Sequence, residues 1–369
     1  MADKSNTWGD ALGSEITPEW NNPDHRAFDF WVGEWEMTWR GRQPDNFHFD
    51  EDGSVTRQRV FPILGGKALV ELAWAIDANA DEPSQRGFSI RYYDEKREKW
   101  VMAQNWPGPG NPGYAFLDQL IGFKDFNRFS MYSAIRRPQQ DGSYQYGHRR
   151  YNFADISDGS FRWDGSNTYD DGQTYMTWNV VDATRIRPLD QFGAAGTSWP
   201  GYIGGQLCTD EPNGAYDHIE GSWAGTLEEP GNSKKVTMNA GRLLDGCAVA
   251  LAVNIEGGRQ IFSTLSFEPR SGNWIMFTLD NRPGMGHVYF WSPDAGEGAT
   301  FHQAPGLSIK NDQELYVLDE NFDATAARTR LIWQKVESDR IVIERQHRSD
   351  EGSNWETGAT YSLNRVGGE

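Results

Sequence analysis

One short aromatic signature occurs twice in the chain and limits the folds it can adopt. Residues 28–39 read FDFWVGEWEMTW, and the GEW at 33–35 recurs as GSW at 221–223. The alternation of the first copy predicts a strand with Trp35 on its apolar face, since no helix N-cap precedes it. A glycine two positions before a tryptophan allows a sharp bend, so the indole can close the end of a β-barrel.

Further landmarks recur in the same order. Residues 64–68 (LGGKA) correspond to 244–248 (LDGCA), and residues 164–175 correspond to 344–355, both with an offset of 180. Phe88 and Trp100 correspond to Phe262 and Trp274, both with an offset of 174. This agreement predicts tandem duplication of one domain. Because two copies are too few for a solenoid, we expect two cores that share a large apolar interface.

The spacing of strand and turn signals predicts an all-β protein. Alternating segments and Gly- or Pro-rich turns follow each other about every 8–12 residues in both halves, as in sandwiches and barrels. We predict an N-terminal arm at 1–24, a first β-domain at 25–186, an interdomain connection at 187–217 and a second β-domain at 218–369.

The composition limits the partners. A net charge of −18 repels phosphate backbones and argues against nucleic acid. No apolar run approaches the ~20 residues of a membrane span, and no signal peptide is evident. We therefore expect a cytoplasmic protein in which Cys208 and Cys247 are reduced, although one bridge between them stays open. A homodimer is also left open.

The motifs together resemble those of a known superfamily. FWVGEWE at 30–36, ILGGKALVELAW at 63–74, GFSIRYYD at 87–94 and a late DDG hairpin are similar to calycins, and more narrowly to uncharacterised bacterial lipocalin-like domains that open with F-W-x-G-x-W. The resemblance implies two tandem lipocalin-like antiparallel β-barrels, each closed at one end by its G-x-W, with a lumen for a small apolar ligand. It covers 28–181 well and 218–366 more loosely, where Ile219 and Glu220 replace the Phe-Trp pair and Asp245 replaces a glycine.

The two-barrel arrangement also resembles carotenoid hydratases and the fungal decalin-forming Diels–Alderases. Those families imply cofactor-free chemistry on polyene-like substrates at or near the junction of two barrels. No residue-level motif of theirs is found in this chain, so the likeness is one of architecture.

Motifs for metals and nucleotide cofactors are missing from the sequence. No histidine pair has H-x-H or H-x-x-x-H spacing, the two cysteines are far apart, and no P-loop, G-x-S-x-G or dinucleotide fingerprint occurs in its required context. We therefore predict no metal and no cofactor.

Two groups of polar residues are candidates for catalysis. Tyr146, His148 and Arg150 alternate on one predicted strand face; in a pocket, His148 is a general acid or base and Arg150 an anion clamp, and otherwise this is an exposed face. Glu71 lies in an apolar strand, where it is either a lone carboxylate with a raised pKa or the buried partner of an arginine such as Arg91. A third acidic pair, Asp164 and its repeat mate Glu344, suits a structural role.

Aromatic and methionine side chains are the candidates for ligand binding. A barrel of about eight strands can be filled by side chains or hold one small ligand, so lumen lining and plain core packing both stay open. The candidates are Trp35, Trp100, Met102, Gln104, Trp106, Trp274 and Met276.

Three functions fit this sequence. The first is a cofactor-free, non-redox enzyme (cyclase, isomerase, hydratase or lyase) that acts on a mostly apolar small molecule held in a lumen or between the barrels. The second is a carrier or sequestering protein for such a molecule, and the third is an interaction module with filled barrels. A deep pocket with a polar floor favours the enzyme, a uniformly apolar pocket favours the carrier, and a filled lumen favours the module.

Overall fold

The computed structural model describes most of the chain. The described residues are 13–43, 48–75, 84–106, 118–188, 208, 212–269, 271–304, 309–312, 315–318, 324–325, 327–350 and 352–367. Most of the predicted connection at 187–217 therefore lies outside the described residues.

The first half of the chain forms a closed antiparallel barrel, barrel 1. Neighbouring strands along the chain pair with each other, and the last strand returns to pair with the first. Barrel 1 has ten strands, and a barrel of this circumference has room for a lumen. The strands are β1 Gly33–Gly41, β2 Ser54–Ile63, β3 Ala68–Ala75, β4 Ser84–Asp94, β5 Lys99–Asn105, β6 Asp118–Asp125, β7 Arg128–Pro138, β8 Tyr144–Ala154, β9 Ser160–Thr168 and β10 Met176–Arg187.

The second half forms a second closed barrel of ten strands, barrel 2, and this confirms the predicted all-β tandem architecture. Its strands are β11 Gly221–Glu229, β12 Asn232–Leu243, β13 Ala248–Ile255, β14 Arg259–Glu268, β15 Asn273–Asp280, β16 Val288–Ser292, β17 Thr300–Gln303, β20 Thr329–Val336, β21 Arg340–His347 and β22 Glu356–Arg365.

Between β17 and β20 the chain leaves barrel 2. The hairpin β18 Ile309–Asp312 and β19 Leu315–Leu318 joins the sheet of barrel 1, where β18 lies parallel to β7. A segment of the second half thus extends the sheet of the first.

The two repeats close their barrels in the same way. The indole Nε1 of Trp35 donates to the carbonyl of Trp31 at 2.7 Å, and that of Trp223 donates to the carbonyl of Ile219 at 2.8 Å. Both indoles are fully buried. The end closure expected from the G-x-W signature is therefore present in both barrels.

An arginine of the last strand completes each closed end. The Arg185 guanidinium lies 4.3 Å from the ring centroid of Trp35, and that of Arg365 lies 4.4 Å from the centroid of Trp223. Each also donates to two carbonyls of the segment before its G-x-W. Sequence analysis missed this pair, although the two arginines are 180 positions apart, like several other repeat landmarks.

A shared apolar core joins the barrels, as predicted. One buried cluster combines residues of β2–β5 with residues of β12–β16. At its centre Phe88 stacks on Phe262. At its edge the buried Lys67 ammonium donates to the carbonyls of Asp280, Arg282 and Met285 at 2.6–2.8 Å. Strands β2–β5 are therefore covered by barrel 2 on one face, and their other face lines barrel 1.

The cysteines correct one prediction. Cys208 and Cys247 form a disulfide within the shared core, so the expectation of two reduced thiols is wrong. Disulfides persist mainly in oxidising compartments, so this argument for a cytoplasmic location no longer holds, and the location stays a prediction. Within the part of the chain that the structure describes, no helix has the length and apolar character needed to cross a membrane.

Candidate functional site

Barrel 1 contains a cavity of about 840 Å3. Trp31 bounds it at the closed end, while Asp50 and Gly53 of the β1–β2 loop lie at the opposite, solvent-facing end. A cavity of this size is within the range of sites for drug-sized molecules. It is lined by Trp31, Met37, Trp39, Gly41, Asp50, Gly53, Ser54, Thr56, Gln58, Glu71, Arg91, Met102, Gln104, Trp106, Arg149, Tyr151, Phe153, Trp163, Trp178 and Asn179.

Aromatic rings form much of the cavity wall and hold one another in place. The ring of Trp39 packs edge-on against Trp106 and Trp163, with centroids 5.7 and 5.3 Å apart. Tyr151 packs against Trp163 at 4.8 Å. Such a wall offers large, rigid apolar faces, which suit a planar ligand.

A glutamine orders the polar edge of this wall. The Gln104 amide donates from Nε2 to the Tyr151 hydroxyl at 3.0 Å and accepts from Trp106 Nε1 at 3.2 Å. These two contacts fix the amide orientation. The rings of Tyr151 and Trp106 are therefore held by hydrogen bonds as well as by packing.

Deep in the lumen lies a buried ion pair. Glu71 on β3 accepts hydrogen bonds from the Ser89 hydroxyl at 2.6 Å and from Arg91 Nη2 on β4. Both charged residues are at most 2% exposed. Burial lowers the pKa of Arg91, and the Glu71 carboxylate opposes that shift. The alternative in which Glu71 pairs with Arg91 is thus the one observed.

The guanidinium of Arg91 keeps unused donors. Its plane lies 4.0 Å from the ring centroid of Trp31, and only Nη2 contacts Glu71. Among the described residues, Nε and Nη1 have no hydrogen-bond partner, and neither has Oε1 of the buried Gln58. Buried donors and acceptors of this kind are normally paired.

Barrel 2 has a smaller and more apolar cavity. Its volume is about 230 Å3, and Leu251, Met276, Phe290 and Trp333 are among the residues that line it. Three of its four charged lining residues form an ion-paired cluster, in which Asp280 contacts Arg259 and Arg282 at 2.8–2.9 Å. The two repeats therefore differ in how much space they enclose.

The predicted ligand-binding residues divide into two groups. Met102, Gln104 and Trp106 line the lumen of barrel 1, and Met276 lines that of barrel 2. Trp35, Trp100 and Trp274 are buried in the packed closed ends instead. Trp100, for example, donates from Nε1 to the Asp24 carbonyl at 2.9 Å and packs on Phe28.

The structure places Tyr146, His148 and Arg150 on the outer face of β8. Tyr146 is 70% exposed and His148 is exposed as well. Arg150 lies 3.7 Å from Asp164 and stacks on Tyr175. These residues do not line the described cavity, which corresponds to the exposed-face alternative.

The inward face of β8 carries residues that sequence analysis missed. Arg149, Tyr151 and Phe153 alternate with the outward set and line the cavity. Two aromatic residues at this spacing were the available signal, because the apolar face of a strand points into a barrel. Trp163 on β9 and Trp178 on β10 were missed in the same way.

The third acidic pair lies in hydrogen-bonded networks of the outer surface. Asp164 accepts from Asn152 at 2.9 Å, and Glu344 accepts from Gln346 at 2.8 Å. Hydrogen bonds, first from Gln346 and then from Thr357, lower the pKa of Glu344. Both contacts suit the structural role expected for the pair.

Comparisons with known proteins add little. No family model matches the chain, and no curated protein matches it.

The described residues contain no group of three His, Cys, Asp or Glu side chains placed to hold a metal.

Two solved structures are similar to the chain at low identity. A protein of unknown function from the DUF3598 family of Nostoc punctiforme is 11% identical, with 94% of this chain and 100% of that one covered and a TM-score of 0.23. A double mutant of the vaccine antigen transferrin binding protein B from Haemophilus parasuis is 8% identical, with 91% and 76% covered and a TM-score of 0.16. Such TM-scores are too low to support an inference about fold or function.

Proposed function

We propose that barrel 1 binds a small, planar, mostly apolar molecule in its lumen, and that this is a binding or carrier function. The observation that carries the proposal is the cavity of about 840 Å3 with its ordered aromatic wall. A filled barrel would have packed these rings against each other across the lumen. The interaction-module alternative is therefore the least favoured.

We also propose that the two barrels are lipocalin-like. The up-and-down strand order and the G-x-W closure of one end support this, since both are implied by the calycin resemblance. In that picture the ligand enters at the end opposite Trp35.

Cofactor-free catalysis, which a polar floor of the lumen favours, is ranked second because the predicted general acid or base, His148, lies on the outer face of β8 and does not line the cavity. It is favoured by Glu71, a buried carboxylate in the lumen wall beside a guanidinium. Against a general-acid role, the Glu71 carboxyl group already accepts hydrogen bonds from Ser89 and Arg91. An electrostatic role for the pair in an isomerisation, cyclisation, hydration or elimination remains compatible with this geometry.

Native mass spectrometry of protein purified from its own host, followed by extraction, tests the binding proposal first. We expect a stoichiometric apolar compound, and incubation of ligand-free protein with that compound then separates the two candidates. A carrier returns it unchanged. An isomerase or cyclase returns a product of equal mass with a new retention time, and a hydratase or lyase adds or removes a molecule.

A matched pair of variants locates the ligand. Met102 and Met276 occupy equivalent positions and line the cavities of barrels 1 and 2. With the neutral fluorescent probe N-phenyl-1-naphthylamine, we expect Met102→Trp to weaken binding ~10-fold by narrowing the lumen, and Met276→Trp to leave it unchanged. Equal behaviour of both variants would argue against barrel 1 as the site.

A further inference from the structure

Three buried polar residues of the barrel 1 lumen have apolar counterparts in barrel 2. The pairing of neighbouring strands defines which residues are equivalent. Glu71 lies opposite Ser89 in barrel 1, and Leu251 lies opposite Ser263 in barrel 2, so Glu71 corresponds to Leu251. By the same registers Arg91 corresponds to Leu265. On the neighbouring strand, Gln58 corresponds to Met238. Each of these counterparts is buried.

The fold therefore does not require the Glu71–Arg91 pair. Moving two charges out of water costs several kcal/mol per ion, and apolar residues of similar volume often replace such pairs without loss of stability. Barrel 2 has that replacement, with Leu251 and Leu265 in the same wall. The ion pair in barrel 1 carries a desolvation cost that barrel 2 does not have. A role other than folding is therefore the simpler explanation for the pair.

The geometry of Arg91 indicates what that role is. Glu71 holds the guanidinium through Nη2, and Trp31 covers one of its faces. Nε and Nη1 have no partner among the described residues, although the side chain is only 1% exposed and lines the cavity. A fixed, buried cation with unused N–H donors in the cavity wall is a site for an oxygen acceptor.

We propose that Arg91 binds a carbonyl-type oxygen of the ligand, a carboxylate or a ketone, and that Glu71 is the positioning residue that orients the guanidinium. This inference rests on the proposed binding function and names the ligand class: a planar apolar body with one such oxygen. Because Arg91 stacks on Trp31 at the closed end, the ligand enters oxygen first and its apolar body lies between the aromatic walls.

A series of probes with one aromatic body tests the inference. Affinities of the purified protein for pyrene, 1-acetylpyrene and 1-pyrenecarboxylate are measured by fluorescence titration. A hydrogen bond to a charged donor predicts that at least one oxygenated probe binds ~10- to 100-fold more tightly than pyrene. Preference for the carboxylate or for the ketone identifies the kind of oxygen to which Arg91 donates.

The most informative variant gives barrel 1 the two leucines that barrel 2 has at the equivalent positions. In Glu71→Leu/Arg91→Leu we expect retained pyrene affinity and complete loss of the preference for the oxygenated probes. Arg91→Lys, which keeps a cation but removes the planar guanidinium, is the second variant should the first fold poorly, and we expect it to reduce the preference. Ser263→Ala/Thr278→Val in barrel 2 is the matched control, with unchanged affinities.

The outcomes separate the two proposals. If no probe binds, the lumen-binding function itself is contradicted. If pyrene and the oxygenated probes bind equally well, or the preference survives Glu71→Leu/Arg91→Leu, the binding function stands and the role of Arg91 is overturned.

Discussion

Phe88 of barrel 1 and Phe262 of barrel 2 stack on each other, with ring centroids 5.8 Å apart and ring planes 15° apart. They are also equivalent residues of the two repeats. An equivalent residue contacts its own counterpart when two copies meet through the same face, as in a two-fold dimer interface. The duplication thus placed a self-complementary face of the domain inside one chain.

We expect Phe88→Ala to destabilise both barrels together. Removal of a buried phenylalanine costs about 3–5 kcal/mol, and the shared core transmits the loss to both repeats. Urea unfolding followed by circular dichroism should show one transition at lower urea. Phe126→Ala, at a 92% exposed position, is the control and should change stability by less than ~0.5 kcal/mol. Two separate transitions, with that of barrel 2 unshifted, would contradict a shared core.

Because the two barrels are closed in the same way, we expect removal of the arginine at either closed end to lower the stability by a similar amount. Arg185→Ala and Arg365→Ala each remove a cation–π contact and donors to three backbone carbonyls, so each should cost about 1–3 kcal/mol. Thermal unfolding monitored by calorimetry measures both. Arg162→Ala, which removes an exposed pair with Asp182, is the control and should have little effect. A large loss in one repeat and none in the other would show that the caps are not equivalent.

The disulfide gives a prediction about stability under reducing conditions. The cysteines are 39 positions apart, and a loop of that length predicts about 4 kcal/mol of stabilisation from restricting the unfolded chain. Cys208→Ser/Cys247→Ser should lower the free energy of unfolding by about that amount, and reductant should have no further effect on it. Alkylation of both cysteines in unreduced, denatured protein, detected by mass, would contradict the bridge.

Much of the architecture was predictable because the repeat is written in the sequence. The two G-x-W signatures and the matching 3-10 turns Leu64–Gly66 and Leu244–Gly246 fall where the offsets place them. Spacing alone does not say that a sheet closes on itself, so the closed barrels rested on the resemblance to calycins. The hairpin β18–β19 was also missed, because its partner strand lies in the other repeat.

The site was predictable in part. Met102, Gln104 and Trp106 were identified from the alternation of one strand, which fixes their common face. On β8 the candidates were chosen for the varied chemistry of Tyr146, His148 and Arg150. The face that is buried in the barrel is instead the one that carries Tyr151 and Phe153. The partner of Glu71 was named as one alternative, but the unused donors of Arg91 depend on side-chain positions that no pattern specifies.

Because of His287, which lies at the interface between the barrels, we expect the stability of the protein to fall in acid. The Tyr92 hydroxyl accepts from the backbone N–H of His287 at 3.1 Å and lies 2.5 Å from its Nδ1. Burial lowers the pKa of His287 to about 4, with a further lowering by Arg97 and an opposing effect of Asp94. Between pH 6.5 and 4 the unfolded chain takes up a proton that the folded chain does not, so stability falls as pH falls.

The size of this effect is about 2 kcal/mol for a group that is partly accessible to water. His287→Asn keeps an acceptor for Tyr92 but does not titrate. We expect it to flatten the loss of stability between pH 6.5 and 4, measured by urea unfolding at several pH values. His25, His218 and His302 also have lowered pKa values and remain in the variant, so the difference between the two proteins isolates His287. Identical pH profiles would contradict the assignment.

We expect substitutions of the Glu71–Arg91 ion pair to have strongly non-additive effects on the free energy of unfolding. Glu71→Leu alone leaves a buried cation and Arg91→Leu alone leaves a buried carboxylate, so each should cost about 3–5 kcal/mol. The double substitution should cost less than either single one, because barrel 2 is built with leucines at the same positions. Urea unfolding of the four proteins gives the coupling energy directly. Additive losses would mean that the pair is part of what holds the barrel 1 wall together, and that its cost is balanced by the fold and not by a ligand.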